Sequence, residues 1–587
     1  MGKTAGIRST RARTPPPAKH PPSTREWRLT PAFILILAAV ALAVCFELYL
    51  PSIHSAFAFD DAGLPFEKLN FDDARFLTWV AGLRPVLMAS YWFNFHLSGR
   101  DTLSYHVVNV LIHTVNVCLI FLIVRKIAEW AGIAGKRRDL LSAFAAALFL
   151  AHPLQTESVA YIAGRSESLS ALFLLAAYAV FLYRRKEMVS LRIGMAVLIL
   201  YTFAAATKEQ TVVLPAVLVL TDFFWGDPGG WRAVWRNWKF YAVFVVAGSI
   251  GLIKVWQVLA AAPTAGFHVH GLSWWQYFFT ECRAIFVYVR MFVLPYGQTV
   301  DHDFPISYTP WQYGAIFYLI ALAALVWACF HFRKRYPLPC FGGLLFLTLL
   351  APTSSVVPIA DPLAERRIYA PMLGLLLILV FLLKKRIEAT NVRWALAAIL
   401  LIAAFLCYQR NDLWGRPFDL WVESVAKQPH KDRPYGQMAQ VAIFTGRCQD
   451  ALPYMDKAVA LLPDDWRVYM DRAKVQECLG KKEDAVASLQ KATAIESNDL
   501  DEELLGLLYG ELGNKQESKA ALERALGHNP QSPYILDDLG LWYESTDQLD
   551  QALAMYQRSL GVDDHNPKTS SAIARVQERM AKEKSGK

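Results

Sequence analysis

Long apolar runs separated by short polar connections dominate the first 408 residues, whereas the chain beyond Asn411 is polar and charged. Most of these runs are long enough to cross a bilayer as a helix. The pattern therefore predicts an all-α protein in two parts, a polytopic transmembrane helix bundle over 31–410 and a water-exposed part after it. The apolar runs fall near 31–50, 105–124, 140–160, 168–183, 190–206, 211–225, 239–260, 274–294, 311–332, 338–352, 367–383 and 393–408.

The polar part repeats with a period of 34 residues, with one step of 33, from residue 432 onward. This is the period of tetratricopeptide repeats, in which small residues stand where the two helices of a repeat cross closely. We predict a linker over 411–431, four repeats over 432–566 that form an α-solenoid, and a capping helix and tail over 567–587. Such arrays usually bind a protein or peptide in a concave groove, and a spacer or oligomerisation element is the alternative. The small residues form the series Ala439, Ala473, Gly506, Gly540 and Ala451, Ala485, Ser518, Ala552.

Basic residues orient the membrane part, because short cytoplasmic loops are enriched in Lys and Arg. Residues 1–30 carry seven of them and predict a disordered cytoplasmic arm, followed by a retained signal anchor. The run 274–294 breaks the alternation of loop charge and contains Glu281, Arg283 and Arg290, which are costly in lipid. We therefore predict an interfacial or re-entrant helix there, eleven spans, and repeats outside the cytoplasm. Twelve spans with a cytoplasmic tail is the alternative.

Composition narrows the class of protein without adding a site. Hydrophobic residues make up 54% of the chain and charged residues 19%, which suits an integral membrane protein. The net charge of +9 follows from the basic loops, and no aromatic-interleaved basic face suggests a nucleic-acid partner. No CxxC or Cys/His metal spacing occurs. Cys448 and Cys478 lie in the polar part and would pair in an oxidising compartment.

On this topology the outer face collects polar residues around the first loop, 51–104, while the cytoplasmic loops are short and merely basic. Cations on the outer side need a specific reason, and a lipid-linked phosphate supplies one. Lys208, Arg366, Arg367 and Arg165 are the candidate phosphate ligands. The alternative is simple pairing, Lys208 with Glu209 and Arg366 with Glu365. The other site-lining candidates, on helix breaks or helix ends, are Arg84, His106, Asn109, His152, Glu157, Glu167, Glu209 and Tyr369.

The first loop contains the tetrapeptide Phe-Asp-Asp-Ala twice, with acidic pairs at Asp60/Asp61 and Asp72/Asp73. A carboxylate near the membrane surface suits a base that deprotonates a hydroxyl. Such a pair is equally suited to hold a divalent cation, Mg²⁺ or Mn²⁺. The segment "DDARFLTWV" also predicts a short amphipathic helix along the membrane with Asp72 as its N-cap.

The order FDD, RP, YHxxNxxxH, HPxQTExVAYIxGRxExLxxLF, TKEQ and ERRxYxP resembles the transmembrane-and-tetratricopeptide-repeat O-mannosyltransferases and their bacterial relatives, which are GT-C glycosyltransferases. The resemblance implies inverting transfer of mannose or another hexose from a polyprenyl-phosphate donor to a hydroxyl of an acceptor protein. Carried over, it implies that Asp60 and Asp61 are catalytic. The second copy resembles a motif of lipid A aminoarabinose transferases, which keeps Asp72 and Asp73 as the alternative pair. The repeat array is short for a eukaryotic member, so the choice of acceptor is not carried over. The composition of the chain leads us to expect a bacterial protein of the cytoplasmic membrane.

Two rival functions remain at this stage. A polyprenyl-pyrophosphate-dependent glycan ligase also has many spans, but it relies on a large late outer loop, and here the longest outer loop is the first. A non-enzymatic membrane-anchored scaffold would use only the repeats. The polar blocks among the spans disfavour that scaffold, because a mere anchor has no need of them.

Overall fold

The computed structural model describes residues 31–57, 61, 64, 75–184, 188–227, 229–261, 265–267, 269, 271–563 and 566–585. Within these residues the fold is all-α, and the only extended pairing is an isolated bridge between Ala265 and Ile359. The all-α prediction is confirmed. Asp60, Asp72 and Asp73 lie outside the described residues.

Helices account for every apolar run predicted from the sequence. The membrane part begins with α1 (Pro31–Tyr49), α2 (Phe76–Val80), α3 (Pro85–Ser98), α4 (Thr102–Trp130), α5 (Gly135–Ala151), α6 (Thr156–Val159), α7 (Arg165–Arg184) and α8 (Leu191–Ala205). It continues with α9 (Leu214–Trp225), α10 (Trp231–Arg236), α11 (Trp238–Ala261), α12 (Trp274–Val293), α13 (Ala315–Phe332), α14 (Pro337–Leu350), α15 (Met372–Leu383), α16 (Thr390–Trp414) and α17 (Pro417–Lys427).

Among the described residues, five helical segments are long and apolar enough to cross a membrane, and four shorter apolar helices accompany them. The five are Ile34–Ser52, Thr102–Trp130, Arg165–Tyr183, Gln312–Phe332 and Thr390–Trp414. Their length and apolar character identify a membrane protein, and the number of crossings stays a prediction.

Two local predictions concern helices of the membrane part. α2 begins after Arg75, which occupies its N-cap position, and Asp72, predicted as the cap, lies outside the described residues. In α12 the side chains of Glu281 and Arg283 are buried. Glu281 lies 3.6 Å from Arg367, and Arg283 donates to Ser307 Oγ. The protein itself thus supplies a partner for each of these two side chains. The interfacial or re-entrant placement of α12 stays a prediction.

The polar part consists of helix pairs closed by a final helix. The helices are α18 (Arg433–Thr445), α19 (Cys448–Leu461), α20 (Trp466–Cys478), α21 (Lys482–Ile495), α22 (Asp499–Glu511), α23 (Lys515–His528), α24 (Pro533–Ser545), α25 (Leu549–Val562) and α26 (Pro567–Ser585).

Close helix crossing explains the small-residue series. A Cβ added at Gly506 would lie 2.7 Å from Leu522 Cγ, and one added at Gly540 would lie 2.6 Å from Tyr556 Cε1. A larger residue at either position would push the two helices of its pair apart. A disulfide between Cys448 and Cys478 links α19 to α20.

Candidate active site

A buried break between helices α5 and α7 carries several of the polar residues predicted from the sequence. The α5 helix ends before the His152-Pro153 dipeptide, and α7 resumes at Arg165. Side chains from three other segments hold the backbone of the break. Tyr91 donates to the Ile162 carbonyl, Asn109 donates to the Val159 carbonyl, and Asp61 Oδ1 accepts from the Ala163 N–H at 2.7 Å.

Arg165 lies beneath this break and is fully buried. Its guanidinium donates to the Oδ1 atoms of Asn109 and Asn94 and to the Tyr105 carbonyl, and it stacks on the Tyr91 ring. No face of the side chain is open to a ligand. We therefore remove Arg165 from the phosphate-binding candidates and assign it to holding α3, α4 and α7 together.

Three ion pairs involve residues of this break or of the loops next to it, and each pair joins segments that are distant in the chain. Arg366 Nη1 donates to Glu157 Oε1 at 2.5 Å, and the Arg366 backbone N–H donates to Glu157 Oε2. Lys208 Nζ lies 2.5 Å from Glu167 Oε1. The pairing alternative drawn from the sequence is wrong about the partners, because neither Lys208 nor Arg366 pairs with the adjacent glutamate.

The third pair is bidentate. Arg84 Nε and Nη2 donate to the two carboxylate oxygens of Glu209, at 3.0 and 2.5 Å. Charge-assisted pairs of this geometry orient both side chains. Arg84, at the N-terminus of α3, and Glu209, in the turn after α8, thus join two loops of the cluster.

Arg84 and Arg366 both lie within electrostatic range of Lys208. Burial lowers the pKa of the Lys208 ammonium, and the charges of Arg84 and Arg366 lower it further, while Glu167 opposes the shift. Arg84 and Arg366 are the more open of the three, with side chains 37% and 23% exposed. Among the described residues, Arg84 Nη1 and Arg366 Nη2 have no hydrogen-bond partner. These two guanidiniums can therefore meet an anion without releasing their glutamates.

The remaining predicted site residues tie the bundle together. Arg367 donates to the carbonyls of Asp361 and Pro362, so it too is an internal tie. His106 contacts the Ser55 carbonyl, and His152 contacts the Phe292 carbonyl. The Tyr369 hydroxyl contacts His113 Nδ1 at 2.7 Å. These residues hold the loops between the helices in position.

Sequence reasoning missed a second cluster that joins this region to the first repeat. Glu365, next to Arg366, accepts from the Thr299 N–H, and the Arg433 guanidinium of α18 pairs with both Asp301 and Asp361. Lys431 Nζ also lies 2.6 Å from Asp301 Oδ1. No motif or spacing marked these residues, because the contacts join loops between 66 and 132 residues apart in the chain.

Of the four aspartates in the two acidic pairs, Asp61 alone lies among the described residues. Asp61 is 1% exposed and is engaged by the Ala163 N–H, which gives it a positioning role. The described residues contain no group of three or more His, Cys, Asp or Glu side chains suited to hold a metal ion.

The fold and this cluster define a polytopic helical membrane protein with a repeat solenoid. Family models described as tetratricopeptide repeat match residues 437–499 and 503–532, which confirms the predicted repeat type. A Thermus thermophilus tetratricopeptide protein of known structure is 22% identical and covers 29% of this chain and 93% of its own, with a TM-score of 0.26.

Known relatives extend the likeness to the membrane part. A protein O-mannosyl-transferase of Caenorhabditis elegans is 24% identical over 397 residues, covering 65% of this chain and 54% of that protein. Drosophila melanogaster Tmtc3 is 22% identical over 462 residues, covering 65% and 48%. Human TMTC1 is 24% identical over 434 residues, covering 65% of this chain and 48% of that protein. The chain is thus a homologue of the TMTC-type protein O-mannosyl-transferases, as the motif order predicted, and it spans about half the length of these relatives.

Proposed function

We propose that this protein is a membrane glycosyltransferase that moves a hexose, mannose in the first instance, from a polyprenyl-phosphate donor to a hydroxyl of an acceptor protein. The observation that carries the proposal is the outer cluster of Arg84, Lys208 and Arg366, in which two guanidiniums are held by glutamates yet keep free N–H groups. Such preorganised donors stabilise the charge of a departing phosphate.

Asp60 is the proposed base, because its neighbour Asp61 is buried and engaged by the backbone of the helix break. The Asp60 carboxylate takes the proton of the acceptor hydroxyl while that oxygen attacks C1 of the sugar. The C1–O bond to phosphate breaks, and its electron pair leaves with the polyprenyl phosphate, whose charge Arg84 and Arg366 stabilise. Attack from the side opposite the phosphate inverts the configuration at C1.

The disulfide supports the proposed location. Such bonds persist in oxidising compartments, and Cys448 and Cys478 form one in the repeats. We therefore propose that the repeats and the cation cluster lie on the extracytoplasmic face of a bacterial cytoplasmic membrane, with the N-terminus inside.

The test is sugar transfer by the full-length protein in nanodiscs, with synthetic polyprenyl-phosphate-mannose as donor and an unfolded Ser/Thr-containing polypeptide as acceptor. We expect Asp60→Asn to lower the transfer rate at least about a hundredfold, the usual contribution of a general base. Asp72→Asn is the matched control and should retain activity. Arms with EDTA, Mg²⁺ and Mn²⁺ measure any cation dependence.

Other outcomes separate the rivals. Full activity of Asp60→Asn with loss in Asp72→Asn would move the base to the second acidic pair. Transfer only from a pyrophosphate-linked donor would indicate the ligase. No transfer from either donor, with intact binding of proteins to the repeats, would indicate a scaffold.

A further inference from the structure

Two cavities adjoin on α18, the first helix of the repeats. One, of about 590 Å³, lies between α18 and the outer loops of the membrane part and is lined there by His54, Phe57 and Asp101. The other, of about 740 Å³, lies between α18 and α20 and is lined by Met470 and Lys474. Gln437, Gln440 and Phe444 line both cavities. These three residues stand at i, i+3 and i+7, so they form one strip along the helix.

The strip presents unused binding groups. The Phe444 side chain is 83% exposed, and within the described part of the chain it belongs to no hydrophobic cluster. Neither Gln437 nor Gln440 has a hydrogen-bond partner among the described residues, although Gln437 is half-buried. A carboxamide both donates and accepts, which matches the alternating N–H and C=O groups of an extended peptide. An exposed aromatic ring offers a place for an apolar side chain.

The strip is held in a fixed position relative to the membrane part. Arg433, at the start of α18, pairs with Asp301 and Asp361, and Asp361 precedes the Glu365-Arg366 pair by only a few residues. At its other end the first cavity reaches Phe57, which leads directly into the segment that carries Asp60. The first cavity therefore extends from the strip to Phe57 of the membrane part, and Lys431 and Arg433 line the second cavity.

We propose that an extended, hydroxyl-bearing segment of the acceptor polypeptide lies along the strip of Gln437, Gln440 and Phe444. The glutamines bind its backbone, and an apolar side chain at a set distance from the acceptor Ser or Thr packs on Phe444. This inference rests on the proposed function and gives it an acceptor rule: backbone recognition without a fixed sequence, plus one apolar anchor.

The mixed lining favours a peptide over a lipid chain. An apolar cavity of about 500 Å³ between α12, α13, α14 and α15 is lined almost wholly by aliphatic and aromatic residues, as a lipid tail requires. The cavities beside α18 instead carry Gln, Arg, Asp and Lys side chains.

The experiment uses synthetic peptides of about sixteen residues, which reach roughly 50 Å when extended. Each has a Gly/Ala background, one Thr, and a single Leu placed at successive distances from it. Transfer from polyprenyl-phosphate-mannose is measured for each peptide with the full-length protein in nanodiscs. We expect one favoured Leu position, and we expect Phe444→Ala to lower kcat/KM for that peptide about tenfold, the loss of one modest apolar contact.

Two controls fix the interpretation. Val562→Ala changes an exposed apolar residue of α25, away from the strip, and should leave the preference unchanged. Circular dichroism verifies that the variants keep their helix content.

Binding of the fluorescent peptides without donor separates the two proposals. If Leu-dependent binding is lost in Phe444→Ala while neither the wild type nor any variant transfers sugar, peptide binding along the strip is supported and the proposed function is wrong. If transfer occurs but shows no Leu preference, or keeps the same preference in Phe444→Ala and in Gln437→Ala/Gln440→Ala, the strip proposal is wrong.

Discussion

Ion pairs in the membrane half of this molecule join residues much farther apart in the chain than ion pairs in the repeat half do. In the membrane half, the pairs Lys208–Glu167, Arg84–Glu209 and Arg366–Glu157 join positions 41, 125 and 209 residues apart. In the repeat half, pairs such as Lys519–Glu523 stand one helical turn apart on an exposed surface. Pairs between helices also occur there, such as Arg524–Glu502 and Arg575–Glu544, but they join residues only 22 and 31 positions apart. The helix crossings themselves depend on small residues in a fixed period.

The difference follows from the cost of burying charge. A charge removed from water needs a partner, so the membrane half is stabilised by pairs that only its tertiary structure brings together. Solvated pairs on a solenoid contribute little, and helix crossing there depends on residue size. Four substitutions test this contrast.

The largest effect is expected from Glu167→Gln in the membrane half. Glu167 is 3% exposed, and its loss would leave the largely buried Lys208 without a countercharge. We expect a destabilisation of about 3–5 kcal/mol, measured as a lower unfolding temperature in detergent. The double variant Glu167→Leu/Lys208→Met removes both charges and should recover much of that loss. An equal loss in the single and double variants would show that the pair is not the cause.

Cys478→Ser tests whether the repeat half depends on its covalent link. The disulfide closes a loop with a separation of 30 residues. Its removal should cost about 3–4 kcal/mol by the loop-entropy relation. Hydrogen exchange of the full-length protein should show faster exchange in α19 and α20, with the membrane helices unchanged. Unchanged protection of α19 and α20 would contradict the prediction.

Gly342→Ala tests size-limited packing inside the membrane half, where helices also approach closely. A Cβ at Gly342 would lie 2.6 Å from the Gly374 carbonyl oxygen of α15. Overpacking of this kind costs about 1–3 kcal/mol. The unfolding temperature in detergent should fall. Gly251→Ala in α11, where no described atom lies within 4 Å, should leave it unchanged or raise it slightly, because alanine favours a helix more than glycine does. Similar values for both variants would mean that α14 and α15 can move apart at little cost.

The smallest effect is expected from Glu523→Gln on the repeat surface. Its side chain is 54% exposed and faces Lys519 one turn away. Removing such a pair should change stability by less than about 0.5 kcal/mol. Urea denaturation followed by tryptophan fluorescence should not distinguish this variant from the wild type. A clear shift of the midpoint would place that pair in a larger network than the structure shows.

Some site predictions were accurate because the motif itself marks a local feature. We predicted that His152 and Glu157 lie at a helix break or helix end, and the structure has a break there, between α5 and α7. The roles within the break were harder to predict. Arg165 and Arg366 look alike in the sequence, as basic residues within polar motifs. In the structure Arg165 is fully buried among tyrosines and asparagines, whereas Arg366 retains N–H groups without a partner among the described residues.

The sequence alone determined the helical architecture, the repeat register and the family likeness, because each depends on periodicity or on the order of short motifs. Only the tertiary structure decided which glutamate pairs with which cation, and that Arg433 joins the first repeat to Asp301 and Asp361. Those choices depend on which buried charges meet after folding. The local sequence does not predict these pairs, because the packing of the apolar helices between them brings the partners together.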